Sequence, residues 1–144
     1  VSDVFDKKTR SYIMSQVKSS GSKAEVAVFN WLENKGYVFL KNYKELCGKP
    51  DVVLPKYKTI IFVHGCFWHH HKNCSAAELP QSNVNYWETK IIRNVRRDRR
   101  NTVRLRQMGW HVYTIWECQI LKNVNRVMKR IEKRFLYVKT NPKI

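Results

Sequence analysis

The order of apolar and polar positions along the chain predicts helices alternating with short strands. Val26, Val28, Phe29, Trp31 and Leu32 follow Ser22-Lys-Ala-Glu25, a capping-box sequence, and Gly36 closes the segment. A helix is therefore expected over about Lys23–Asn34. Tyr37–Leu40 reads as a short strand and Asn42–Lys49 as a polar loop. Asp51–Leu54 and Thr59–Val63 are apolar, β-branched runs on either side of Pro55-Lys-Tyr-Lys58, which predicts a hairpin. Pairing back around that turn sets Leu54 against Thr59 and Asp51 against Phe62. It brings the Asp51 carboxylate to the backbone of Val63 and the start of His64. A long helix over about Tyr86–Met108, ended by Gly109, precedes a strand over Trp110–Trp116. A last amphipathic helix, about Asn125–Leu136, carries Val127, Ile131 and Phe135 at helical spacing. The order helix, strand, hairpin, helix, strand, helix predicts an α/β fold, a mixed sheet covered by helices.

Ahead of this body, Asp6–Ser19 is basic and weakly apolar, with Tyr12, Ile13 and Val17, and breaks at Ser19-Ser-Gly-Ser22. Residues 1–21 read as an arm that orders on binding, and 22–144 as one domain. A chain of 144 residues can bury a core without staples. With 43% hydrophobic and 12% aromatic residues it is too apolar for intrinsic disorder. No apolar run reaches the roughly 18 residues of a membrane span, and no secretory apolar region opens the chain. The cytosol, or a nucleoid within it, is the expected location.

Charge changes the picture most. The chain carries 28 Lys+Arg against 11 Asp+Glu, a formal net charge of +17, densest over Arg93–Arg106. Such a balance calls for an acidic polymer as partner, and nucleic acid is the commonest one. Lys90, Arg93, Asn94, Arg97, Arg100 and Arg104 would lay a face of the long helix on a phosphate backbone.

The chemistry concentrates after the second hairpin strand, in Gly65-Cys-Phe-Trp-His-His-His-Lys-Asn-Cys74. Cys66, His71, Cys74 and the distant Cys118 are the first choice for a closed, tetrahedral, structural zinc site. Cys47 could replace one ligand and His70 could replace His71. His64 and His69 are then free for other work. Hydrolysis of a phosphodiester needs an attacking water, a proton acceptor and a cation on the phosphate. Asp51 can ligate Mg²⁺, and His69, of a residue type that titrates near neutrality, can act as general base. Phe67, Trp68 and Trp87 are large aromatics beside a basic face; they either pack inward or meet bases.

Four segments carry a family resemblance. Gly48-Lys-Pro-Asp-Val-Val53, Ile61-Phe-Val-His-Gly-Cys-Phe-Trp-His-His-His71, Asn94-Val-Arg-Arg-Asp-Arg-Arg100 and Gly109-Trp-His-Val-Tyr-Thr-Ile-Trp-Glu-Cys118 resemble the very-short-patch-repair (Vsr) endonucleases. The resemblance implies a restriction-endonuclease-like fold, a PD-(D/E)xK variant, with a structural Zn²⁺ and a catalytic Mg²⁺. It implies a nick on the 5′ side of the thymine of a T:G mismatch in double-stranded DNA, left by deamination of 5-methylcytosine. Carried over by position, Asp51 and the backbone carbonyl of Val63 would hold Mg²⁺, and His69 would be the base. His64 and Glu25 would support the site. Phe67, Trp68 and Trp87 would form an aromatic wedge from the major groove, met by Met14 of the arm from the minor groove. Lys90 and Asn94 would read the mismatched pair, and Cys66, His71, Cys74 and Cys118 would hold zinc. Val63-His64-Gly65 stands where restriction-type sites carry Glu-x-Lys, a departure the Vsr family shares. The family usually has threonine where this chain has Val63, and the spacing from His71 to Cys74 is one residue longer than expected. A monomer acting on DNA, with possible mismatch-repair proteins as partners, is the simplest assembly. The competing readings are a zinc-stabilised DNA-binding protein without catalysis and a restriction or homing nuclease of the same fold.

Overall fold

A computed structural model describes residues 22–140. The arm, Met14 and the segment Asp6–Ser19 lie outside them. The first helix, α1 (Lys23–Asn34), starts at Ser22, whose Oγ accepts the Glu25 N–H at 3.2 Å. It stops at Gly36, which takes a left-handed φ of 81°. There the N–H groups of Gly36 and Tyr37 donate to the carbonyls of Glu33 and Leu32, both at 3.0 Å.

Four strands follow in the spatial order β1 (Leu40–Lys41), β2 (Val52–Leu54), β3 (Thr59–His64) and β4 (His111–Trp116). β1–β2 and β2–β3 are antiparallel and β3–β4 is parallel, so the sheet is mixed as expected. The hairpin register is the expected one, with Leu54 opposite Thr59. A single 3₁₀ turn, Pro55–Tyr57, makes the connection. The sequence expectation of a strand over Tyr37–Leu40 is corrected to Leu40–Lys41. The Tyr37 hydroxyl is drawn away to donate to Glu132 at 2.5 Å, and the Phe39 ring packs against Phe29.

Alternation along the strands sorts side chains into two layers. Val52, Leu54, Ile61, Val63 and Ile115 face α1 and the last helix, α3 (Glu117–Thr140). Val53, Ile60, Phe62 and Val112 face Leu105, near the end of α2 (Val84–Gln107), and the 43–47 loop. Gly109, at φ 96°, ends α2, and the Trp110 N–H donates to Leu105 O at 3.1 Å. That cap holds Trp110 out of the strand, so β4 begins one residue later than the pattern suggests. α3 starts directly after β4, eight residues before the expected Asn125. Asn123 breaks it with non-helical φ −163° and ψ 87°, and its Oδ1 caps the second part by accepting the Arg126 N–H at 3.0 Å. Among the described residues, no helix is long and apolar enough to cross a membrane.

Candidate active site and metal centre

The hairpin register places Asp51 one step beyond the last β2 pair, against the end of β3. Its Oδ2 accepts the Val63 N–H at 2.7 Å. Glu25, in the first turn of α1 and buried, brings a second carboxyl to hydrogen-bond that of Asp51. Burial pushes the Asp51 carboxyl up to about 7; the Val63 N–H opposes this and the Glu25 carboxyl adds to it. A half-buried and a buried carboxyl in contact form a set of oxygen donors that suits a hard divalent metal.

Beside them stand the histidines. His64 ends β3 and is buried, and burial pulls its imidazole down to about 3, with the neighbouring His69 adding to the effect. The His64 and His69 rings stack in parallel, centroids 3.8 Å apart and planes 9° apart. Nδ1 of His69 lies 2.6 Å from Oδ2 of Asp98, on α2. A carboxylate only accepts, so the proton of that bond belongs to Nδ1 and Nε2 is left as the basic nitrogen. Sequence reasoning missed Asp98. Two signals point to it: it is the lone acid in the Arg93–Arg106 run, and it stands seven residues from both Ile91 and Leu105, on the buried face of α2.

The parallel register of β3 and β4 builds the second constellation. His64 and Trp116 are Cα partners, so Cys66 and Cys118, each two residues on, leave the sheet side by side. The Gly65–Cys74 loop returns His71 and Cys74 to them. The ligand atoms of Cys66, His71, Cys74 and Cys118 all lie within 4.8 Å of one another. His71 Nδ1 is 3.4 Å from Cys118 Sγ and 3.6 Å from Cys66 Sγ. Burial, with the thiol of Cys118 close by, pushes the Cys66 thiol up to about 12. Three crowded sulfurs and one imidazole match the donors of a tetrahedral, thiophilic cation. Cys118 lies in the first turn of α3. The alternatives fall elsewhere: Cys47 bonds to Asn101 O at 3.7 Å, and His70 is exposed at a left-handed φ of 53°.

Phe67, Trp68 and Trp87 come together as one aromatic cluster, with centroids 5.1–6.1 Å apart. Trp87 is buried, yet the indole N–H groups of Trp68 and Trp87 have no hydrogen-bond partner among the described residues. Asn94 donates to Trp68 O at 3.1 Å, and Lys90 Nζ lies 5.5 Å from the Trp68 ring centroid. Arg93, Arg97, Arg100 and Arg104 are exposed along one stripe of the same helix.

A carboxyl pocket and an oriented histidine, flanked by a cationic helix, form the equipment of a nuclease. Residues 2–75 match the family described as DNA mismatch endonuclease Vsr. The type II nicking enzyme V.NmeAIP of Neisseria meningitidis serogroup A is 40% identical over 139 residues, covering 92% of this chain and 98% of that protein. The DNA mismatch endonuclease Vsr of Escherichia coli K12 is 39% identical over 120 residues, covering 83% and 76%. The type II nicking enzyme V.XorIIP of Xanthomonas oryzae is 40% identical over 120 residues, covering 83% and 88%. The chain belongs to the Vsr DNA mismatch endonuclease family and is a mismatch-directed DNA nicking endonuclease.

Proposed function

We propose that the chain hydrolyses the phosphodiester on the 5′ side of the thymine of a T:G mismatch, so starting very short patch repair. The observation that carries this reading is the His69–Asp98 contact of 2.6 Å beside the hydrogen-bonded Asp51–Glu25 pair. Asp98 fixes the imidazole, and Nε2 of His69 takes the proton of the attacking water as the water oxygen bonds to phosphorus and the scissile P–O bond breaks, the leaving sugar oxygen taking a proton from solvent water. Asp51 and the Val63 carbonyl would hold Mg²⁺, which supplies Lewis-acid stabilisation of the phosphate charge. Glu25 and His64 keep Asp51 and His69 in place. Cys66, His71, Cys74 and Cys118 would hold structural Zn²⁺.

Phe67, Trp68 and Trp87 act as the wedge beside the mismatch. The indole N–H groups, without a partner among the described residues, support this, because an unpaired donor is unfavourable and bound DNA offers acceptors. Lys90 and Asn94 contact the mismatched pair, and residues 1–21, with Met14, clamp the duplex as an arm ahead of a single 22–144 domain. The enzyme acts as a monomer on cytosolic, nucleoid DNA. The test is a Mg²⁺-dependent nicking assay on end-labelled T:G, T:A and C:G duplexes. One nick 5′ to the mismatched thymine, lost in Asp51→Ala and His69→Ala, is expected. Binding without cleavage would overturn the proposal in favour of a DNA-binding protein, and cutting of matched DNA in both strands in favour of a restriction-like nuclease.

A further inference from the structure

We propose that Trp116 is a positioning residue that sets the plane of His64 and, through it, of the base His69. The proposal rests on His69 being the base. Among the described residues no hydrogen bond holds the His64 ring, and the Asp98 carboxylate lies within 4.8 Å of it, so ring packing is what sets its plane. Three rings do so. His69 covers one face at 3.8 Å, Phe62 lies tilted at 5.8 Å, and Trp116 meets it edge-to-face at 5.3 Å and 74°. The Trp116 contact is built into the sheet, because His64 and Trp116 are register partners. Trp116 is itself held by the His71 ring, stacked on it at 4.3 Å and 11°. The rings therefore run in unbroken contact as His71, Trp116, His64 and His69, and Asp98 pins the far end at 2.6 Å.

Each link constrains the next. An indole wall holds His64 to one ring plane, and His69 stacks on whatever plane His64 presents. A branched aliphatic at 116 fills part of the volume and removes the flat wall, so His64 can turn and His69 loses its platform. Because neither DNA surface changes, the loss belongs to turnover and not to substrate capture.

The test uses the full chain carrying its metals, as Trp116→Leu and Trp116→Phe beside His69→Ala. Metal content per chain and the thiolate charge-transfer band of the cobalt-substituted protein report the cysteine cluster, and thermal unfolding reports the fold. For Trp116→Leu, kcat should fall about tenfold or more and KM stay within about twofold. Trp116→Phe should recover kcat to within about threefold of wild type, since it restores an aromatic wall. A folded, metal-loaded Trp116→Leu protein with wild-type kcat, or with only KM changed, would overturn the proposal. Should His69→Ala still nick, the reading of His69 as base fails instead. Nuclear Overhauser contacts in the wild-type protein provide a second test that holds even if Trp116→Leu does not fold. Trp116–His64 and His64–His69 contacts should persist when a duplex with a methylphosphonate at the scissile position binds, and loss of the Trp116–His64 contact on binding would equally overturn the proposal.

Discussion

Asp98 Oδ2 and His69 Nδ1, 2.6 Å apart, join the basic helix α2 to the loop that follows β3. The contact ties the basic helix to the group proposed to take the proton. Asp98→Asn keeps the volume but offers His69 an amide, which can orient the ring in either sense and gives no charge to an imidazolium. kcat should fall by about 10²-fold or more, within the range that general-base catalysis supplies, with KM little changed. Single-turnover rates on a T:G duplex check this; a wild-type rate would remove Asp98 from the machinery.

The Asp51–Glu25 pair gives a pH-dependent stability with a definite sign. The folded protein holds the Asp51 proton up to about 7, against 3.8 for the free side chain. The folded form therefore binds more protons between those values, and stability falls as pH rises from about 4 to about 7 and stays low above that. Asp51→Asn removes this penalty. Without divalent metal, the variant should melt higher than wild type at pH 8, and the gap should close by pH 4. Mg²⁺ at pH 8 should raise the wild-type melting temperature and leave that of the variant unmoved. Calorimetric scans across pH read both effects.

Zinc bound at the cysteine cluster, as proposed, should contribute folding energy. A strong chelator should lower the melting temperature, and Zn²⁺ should restore it. Cys118→Ala should abolish stoichiometric zinc, whereas Cys47→Ala should retain it, because Cys47 lies away from the cluster. Metal analysis after gel filtration decides the matter; retention of zinc by Cys118→Ala would exclude Cys118 as a ligand.

The exposed stripe on α2 should set the salt dependence of binding. Arg93→Ala, Arg100→Ala and Arg104→Ala should each weaken matched and mismatched duplexes alike. Each should reduce the slope of log K against log salt by about 0.9, the release expected per phosphate contact. Fluorescence anisotropy over a salt series measures the slope. A substitution that weakens only the T:G duplex would mark base reading instead.

Much of this was legible in the sequence. The capping residues and the turn Pro55–Lys58 are local signals, so α1, the hairpin and the Asp51–Val63 contact follow from nearby residues. The start of α3 was not, because Glu117–Lys122 has weak amphipathic spacing and is held by its position against β4. Asp98 lay hidden among arginines, since charge balance reads it as a surface residue while helical phase turns it inward. The meeting of Cys66 with Cys118 depends on a parallel register between distant strands, which no local pattern encodes. The sequence could name the four candidates, but only tertiary pairing puts them within 4.8 Å.

That register also has a consequence during synthesis. β4 emerges well after β3, and Cys118 stands 47 residues beyond His71. A nascent chain that has completed the hairpin and the histidine loop still lacks the third sulfur, the Trp116 wall and the neighbouring strand. Closing so long a loop is slow compared with forming a helix or a hairpin. The helix that carries Glu25 also packs on α3, so both the carboxyl pair and the cysteine cluster wait for the last third of the chain.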